Sequence, residues 1–145
     1  MKAKKHIILR NIKKRNRMPK INRYVDIDQV EREARKDYID RHSPFVTVSG
    51  EAKKGEKLAV TVKVGNEYSH PDDFDHFISN VSLFNGETLL ARADFVPGTL
   101  GNEKSQVEVT FNIIPTTKKL KLVAQSYCTK HGVWESDPVA CEVAE

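Results

Sequence analysis

The chain has 145 residues, of which 39% are hydrophobic and 30% are charged, a composition that indicates one globular domain with its own core. The apolar runs are only a few residues long, which excludes a membrane-spanning helix, and Lys and Arg interrupt the apolar residues near the start, which excludes a secretory signal core. Two cysteines are too few for the disulfide framework of a small secreted domain, so a cytoplasmic location is expected.

Positive charge is concentrated at the N-terminus. Residues 1–24 contain ten Lys/Arg and no carboxylate, whereas residues 25–145 contain fourteen Lys/Arg and twenty Asp/Glu. We therefore expect a flexible basic tail over residues 1–24 and a single, mildly acidic domain over residues 25–145. The tail could contact nucleic acid or acidic lipid, or act as an address. No contact with nucleic acid is expected beyond the tail, and no membrane partner is expected.

The first predicted element is a short helix over residues 28–38. Asp28 and Glu31 have the spacing of a capping box, and apolar side chains recur after them at helical spacing. We expect the helix to end before Asp40, because Pro44 favours extended geometry in the residue that precedes it.

From there on the apolar residues alternate, which is the period of a half-buried strand. Seven strands are predicted, over residues 45–48, 58–64, 77–84, 87–95, 107–113, 120–127 and 139–143. Asn85-Gly86, between the third and fourth strands, is the preferred dipeptide of a type I′ hairpin. The pattern predicts an all-β fold, a seven-stranded antiparallel immunoglobulin-like sandwich preceded by the short helix and the basic tail.

Residues that bind metals gather in the loops between these elements. Cys128 and His131 form a Cys-x-x-His step, whose spacing lets a thiolate and an imidazole reach one ion. His70 and His76 bound one polar loop, and His42 precedes the first strand. Taken singly, each histidine is compatible with a solvated loop side chain, and the Cys-x-x-His step alone would indicate zinc. Together they are too many for tetrahedral zinc and favour an ion such as iron with an open sixth position.

The order of these motifs resembles that of the iron-dependent superoxide reductases, the neelaredoxin and desulfoferrodoxin group. The resemblance spans roughly residues 38–145 and rests on His42-Ser43-Pro44, on His70-Pro71 with His76, and on the run from Cys128 to Trp134. It implies one iron with His42, His70, His76 and His131 as equatorial ligands and Cys128 as the axial ligand. It also implies an oxidoreductase that reduces superoxide to hydrogen peroxide, a rubredoxin-like electron donor and a homo-oligomer.

The sequence departs from the family pattern just before the first histidine. Asp40 and Arg41 stand where the family carries Glu-Lys. The family's glutamate can close the sixth position in the oxidised state, and its lysine attracts superoxide. Asp40 is one methylene shorter, and Arg41 keeps the charge but does not release a proton. With Lys130 as a further cation, these three are the predicted catalytic residues.

Two other functions remain open at this point. The chain could be a non-catalytic iron-binding or electron-transfer module that retains the ligands, or an interaction domain that the tail tethers to nucleic acid. The second, cysteine-ligated iron site of desulfoferrodoxin is not expected, because residues 1–40 contain no cysteine.

Overall fold

Two β-sheets form most of the chain in the computed structural model, which describes residues 21–24, 36–98 and 106–145. In chain order the elements are β1 (Ile21–Arg23), α1 (Lys36–His42), β2 (Pro44–Ser49), β3 (Ala52–Lys53), β4 (Leu58–Val64), β5 (Ile78–Asn85), β6 (Thr88–Asp94), β7 (Glu108–Ile113), β8 (Lys119–Cys128), β9 (Gly132–Glu135) and β10 (Val139–Ala144). The smaller sheet has the order β2-β4-β7. The larger sheet has the order β1-β9-β8-β10-β3, with β5 pairing to β8 and β6 to β5.

The core lies between the two sheets. Val60, Val62 and Val64 of β4 are fully buried, and they belong to the same hydrophobic cluster as Leu83 of β5 and Leu122 of β8. This alternation gives each strand one apolar face, and removing those faces from water holds the sheets together. The predicted all-β sandwich is confirmed.

The expected number of seven strands is too low, since ten strands lie within the described residues. The three missed strands, β1, β3 and β9, are two to four residues long, too short for an alternating pattern to show. Two of the pairings, β1 with β9 and β3 with β10, are parallel. β1 falls inside the predicted tail, where Asn22 Nδ2 donates to Val133 O at 3.1 Å; residues 1–20 lie outside the described residues.

The helix continues further than the sequence indicated. α1 includes Asp40 and ends at His42, where the Ser43 N–H and Oγ both donate to Ile39 O, at 3.1 and 2.6 Å. Pro44 therefore excludes only the residue directly before it from the helix. Residues 28–35 of the predicted helix lie outside the described residues. Within the described part of the chain, no helix is long and apolar enough to cross a membrane.

The predicted hairpin between β5 and β6 is present, but its two-residue loop lies one residue later in the chain than expected. Asn85 pairs with Thr88 as the last strand residue, and its Oδ1 accepts a hydrogen bond from Lys121 N at 2.9 Å. The tight loop therefore starts at Gly86, whose φ of +59° is readily adopted by glycine.

The strand register brings distant segments to one end of the sandwich. β2 begins where β4 ends, with Pro44 opposite Val64, and β5 begins where β8 ends, with Ile78 opposite Cys128. The end of α1, the connection between β4 and β5, and the turn after β8 therefore meet there.

Candidate metal centre

Histidine and cysteine side chains cluster at that end of the sandwich. Ligand atoms of His42, His70, His76 and Cys128 all lie within 4.8 Å of one another, so one ion could contact all four. His131 lies against the same cluster, with its Nδ1 3.0 Å from His42 Nε2 and 3.6 Å from Cys128 Sγ. The chain therefore contains a metal-binding site, and the five side chains that were predicted as ligands lie together.

The four imidazole rings are arranged as a square. Neighbouring ring centroids are 4.7 Å apart for His42 and His70, 4.7 Å for His70 and His76, 4.9 Å for His76 and His131, and 4.8 Å for His131 and His42. Neighbouring rings are inclined by 73–82°. On opposite corners, His42 and His76 are 6.3 Å apart and inclined by only 23°. Such an arrangement suits four donors around one ion and differs from the tetrahedral set of structural zinc.

Backbone carbonyls determine which nitrogen of two rings faces the cluster. His42 Nδ1–H donates to Tyr38 O at 2.6 Å, and His70 Nδ1–H donates to Pro71 O at 2.7 Å, because a carbonyl oxygen can only accept. Nε2 of each neutral ring then carries the lone pair; for His70, this atom is 3.3 Å from Cys128 Sγ. Hydrogen bonds of this kind hold metal-binding imidazoles in one orientation.

His76 gives direct evidence that the cluster suits an ion. Its Nε2 is buried and has no hydrogen-bond partner, which is unfavourable for a polar atom, and a metal bonded to its lone pair would remove that penalty. Two neighbouring nitrogens bonded to one ion at about 2.1 Å lie about 3.0 Å apart, and His42 Nε2 and His131 Nδ1 have this separation. Imidazoles with one thiolate are a donor set that iron accepts, so the residues fit an iron ion.

Burial favours the neutral form of His42, His70 and His76, which is the form that binds metals. It lowers the pKa of His42 to about 3, and the neighbouring imidazoles contribute to this shift. Burial likewise lowers the pKa of His70 to about 4, with smaller contributions from His76, His131 and Arg41. The pKa of His76 is lowered as well, by burial first and then by nearby positive charge.

Burial and the neighbouring donors act in opposite directions on the Cys128 thiol, and burial is the larger effect. The side chain is fully buried at the end of β8, and burial raises the pKa of its thiol. Opposing this shift, the backbone N–H groups of Lys130 and His131 donate to the sulfur, and the Lys130 ammonium acts in the same direction to lower the pKa. A bound cation would add to these effects, since metal coordination deprotonates a thiol.

Two aromatic residues pack against the histidine square. Trp134 is buried and stacks on His42 with 5.1 Å between ring centroids, and its Nε1–H donates to His131 O at 3.1 Å. The Tyr38 ring contacts the rings of His42, His131 and Trp134 at 4.7–5.5 Å. The sequence placed Trp134 near the site but treated Tyr38 only as an apolar helix position. A predicted helix that reached His42 would have placed Tyr38 and His42 one turn apart on the same face.

Two of the predicted catalytic residues lie beside the cluster. The charge of Arg41 contributes to the lowered pKa of His70, and the charge of Lys130 contributes to the lowered pKa of His76. Each forms an ion pair with a nearby aspartate, at 3.3 and 3.8 Å respectively. The two cations therefore flank different corners of the square.

Asp40, the third predicted catalytic residue, has different contacts from those expected. Its carboxylate is buried, and its Oδ2 accepts hydrogen bonds from the backbone N–H groups of Asn66, Glu67 and Tyr68 at 3.1, 2.9 and 2.8 Å. Oδ1 accepts from Asn66 N–H as well, at 3.2 Å. Both oxygens are thus bound to the loop after β4, a geometry that does not support Asp40 as the group that closes the sixth position.

A β-sandwich that gathers imidazole and thiol side chains at a single point is a metal-binding protein. The Desulfoferrodoxin family model matches residues 31–137, so the chain belongs to the desulfoferrodoxin family. This confirms the resemblance that the motifs indicated.

Curated relatives in this family are named superoxide reductases, which are oxidoreductases. The Pyrococcus furiosus protein is 30% identical over 110 residues, covering 68% of this chain and 86% of that protein. The Thermococcus kodakarensis protein is 32% identical over 104 residues, covering 68% and 85%. The chain therefore belongs to a family of oxidoreductases.

Solved structures of superoxide reductases share the fold. A variant of the neelaredoxin from Ignicoccus hospitalis has a TM-score of 0.67 and 27% identity, covering 85% of this chain and 94% of that chain. The superoxide reductase of Nanoarchaeum equitans has a TM-score of 0.55 and 31% identity, covering 71% and 93%. The predicted immunoglobulin-like class agrees with these neighbours.

Proposed function

We propose that this protein is a superoxide reductase, which converts superoxide, one electron and two protons to hydrogen peroxide at a mononuclear iron. The observation that carries the proposal is the square of four imidazoles beside a buried cysteine. Membership of a family whose named relatives are superoxide reductases supports it.

The proposed ligands are the five clustered side chains. His42, His70 and His76 would bind iron through Nε2, His131 through Nδ1 and Cys128 through its thiolate. Iron in this position would supply the electron that superoxide accepts, and the thiolate would raise the electron density at the metal. An ion held by these five side chains could bind a small molecule in addition.

Arg41 and Lys130 would attract superoxide to the site. Superoxide is an anion, and positive charge near a reactive centre raises the rate at which an anion arrives. His76 and His131 are partly exposed, whereas His42 is 1% and His70 is 5% exposed. The corner of the square near Lys130 is therefore more open to solvent than the corner formed by His42 and His70.

The two protons would come from solvent and from Lys130. A lysine ammonium can release a proton, whereas a guanidinium does not do so in proteins, so Arg41 would act through its charge alone. An external electron donor, rubredoxin-like by analogy with the family, would return the electron after each turnover. Assembly into a homo-oligomer stays a prediction.

Rapid mixing of the ferrous protein with superoxide tests the proposal. We expect oxidation of one iron per chain, appearance of a visible ferric–thiolate absorption band, and about one hydrogen peroxide per iron oxidised. Protein that carries iron and shows the band on chemical oxidation, but is not oxidised by superoxide, would instead be an electron-transfer module. Protein that is loaded with iron anaerobically and then lacks the band on chemical oxidation would contradict both functions.

A further inference from the structure

We infer that Asp40 is a positioning residue for the metal ligands: by binding the loop after β4, it fixes His42 and His70 relative to each other. The inference rests on the proposed metal site and concerns how its ligands are held.

The Asp40 carboxylate forms a dense set of hydrogen bonds. Three consecutive backbone N–H groups, those of Asn66, Glu67 and Tyr68, converge on its Oδ2, and the first also contacts Oδ1. The side chain is 6% exposed, so little water competes for these bonds. Bonds from N–H groups to a charged carboxylate are stronger than neutral ones, and three in sequence determine the path of the loop.

The loop itself is built to close on this carboxylate. Gly65 has a φ of +81°, and a Cβ at this position would lie 2.3 Å from Tyr68 O and 3.4 Å from the Arg41 Cα, so the tight turn requires glycine. On the other side, Gln106 Nε2 donates to Gly65 O at 2.7 Å and to Tyr68 O at 3.3 Å. The loop is thus held between Asp40 and Gln106.

Both partners of this contact lie two residues from a proposed ligand. Asp40 precedes His42 in the last turn of α1, and Tyr68 precedes His70 by the same interval. Gly65 N–H donates to Ser43 O at 2.9 Å and ties the loop to the residue after His42. A change in the Asp40 contact would therefore move His42 and His70, neighbours in the square with ring centroids 4.7 Å apart.

This role differs from that of a metal ligand. A carboxylate whose two oxygens bind the loop is not available for coordination, so Asp40 acts on the metal only through the placement of the histidines. Disturbing the loop from its other side, at Gln106, should then reproduce the effect of changing Asp40.

Cobalt binding to three variants tests the inference. The probe is Co²⁺ alone, titrated into metal-free protein and followed by the cobalt–thiolate absorption band and by the fluorescence of Trp134. Asp40→Asn removes the charged acceptor. Asp37→Asn is the matched control: Asp37 lies on the same helix with a side chain that is 57% exposed, and its replacement alters the charge equally. The ion pair with Arg41 that this variant loses lies at the surface, where such pairs contribute little. Gln106→Ala loosens the loop without changing charge.

We expect Asp40→Asn to weaken Co²⁺ binding by about 10-fold, the lower end of the effect of removing a group that orients metal ligands, and to shift the cobalt ligand-field bands. Asp37→Asn should retain wild-type bands and affinity within about 2-fold, since it does not contact the loop. Gln106→Ala should shift the bands in the same direction as Asp40→Asn, by less.

The inference is overturned if Asp40→Asn folds and has the same cobalt affinity and bands as Asp37→Asn. It is also overturned if Asp40→Asn alters the ferric spectrum while Gln106→Ala leaves the cobalt and ferric spectra unchanged, because Asp40 would then be a metal ligand. If Asp40→Asn fails to fold, the inference is overturned when Gln106→Ala shows the same cobalt bands and cobalt affinity as the wild-type protein. Wild-type protein that binds no cobalt would overturn the inference together with the proposed function. Wild-type protein with normal spectra but no reaction with superoxide would overturn the proposed function only.

Discussion

Three of the four histidines of the site form a hydrogen bond with a residue outside the cluster. A carbonyl one helical turn earlier accepts from His42, the adjacent Pro71 carbonyl accepts from His70, and Trp134 donates to the His131 carbonyl. These bonds fix the rings before any ion arrives. Less reorganisation is then required on binding, which favours affinity and one defined geometry.

The two cysteines allow a matched test of the thiolate. Cys128→Ser should abolish the ferric–thiolate absorption band and weaken iron binding, because a serine hydroxyl is a much poorer ligand at neutral pH. Cys141→Ser should leave both unchanged, since Cys141 lies in β10 and packs against the core. Optical spectra and iron analysis of both variants measure these effects. Iron binding with unchanged colour in Cys128→Ser would contradict the assignment of Cys128 as a metal ligand.

Replacing Lys130 tests the attraction of superoxide. Lys130→Ala should lower the second-order rate of oxidation by superoxide at low salt by about 2- to 10-fold, a fraction of the effect of a whole charged cleft, and salt should reduce the difference. The ferric absorption band should remain. Stopped-flow rates at several salt concentrations measure the effect.

The control for this experiment is Lys54→Ala. It removes the same charge in the turn before β4, at the end of that strand opposite to the site, and should leave the rate unchanged. Equal rate losses in the two variants would show that net charge alone acts and that Lys130 has no local role.

At the scale of elements, β8 connects the site to the core. Its inward side chains include Leu122 and Ala124, and it ends at Cys128. Two residues before Cys128 in this strand, Ser126 Oγ donates to His42 O at 2.9 Å, with both residues buried. The strand therefore carries one proposed ligand and holds the helix end that carries another.

Removing this connection should destabilise the fold. Ser126→Ala leaves the buried His42 carbonyl without its donor, which typically costs about 1–3 kcal/mol, and urea unfolding of the metal-free protein measures the loss. Ser49→Ala, at an exposed position of β2, should stay within about 0.5 kcal/mol of wild type. An unchanged free energy of unfolding for Ser126→Ala would show that water replaces the hydroxyl.

The elements also explain what the sequence could predict. Alternation identified the long strands such as β4, and the spacing of Cys128 and His131 pointed to a metal site without any knowledge of the fold. The roles of Tyr38 and Asp40 were not visible, because both depend on where α1 ends and on a loop 26 residues further along that binds Asp40. Contacts between segments distant in sequence leave no local pattern.

At the scale of the whole molecule, the site joins segments that are far apart in the chain. His42 ends α1, His70 and His76 lie between β4 and β5, and Cys128 ends β8. An ion bound to all of them can bind only the folded chain with full affinity, so metal binding should stabilise the whole sandwich.

Metal removal tests this coupling. Ferrous iron at a free concentration 100 times its dissociation constant should raise the free energy of unfolding by about 2.7 kcal/mol, and a chelator should reverse the gain. Anaerobic thermal unfolding of loaded and chelated protein measures it, with Cys128→Ser expected to gain less. Equal unfolding temperatures with and without iron would show that the ion does not bridge these segments.

Iron analysis combined with optical spectra of the oxidised and reduced protein tests the central claim most directly. The four imidazoles and the Cys128 thiolate predict one iron per chain, a visible ferric–thiolate absorption band in the oxidised protein, and loss of that band on reduction. Anaerobically loaded protein that retains less than about 0.1 iron per chain, or that holds iron without this band, would contradict a five-ligand iron site.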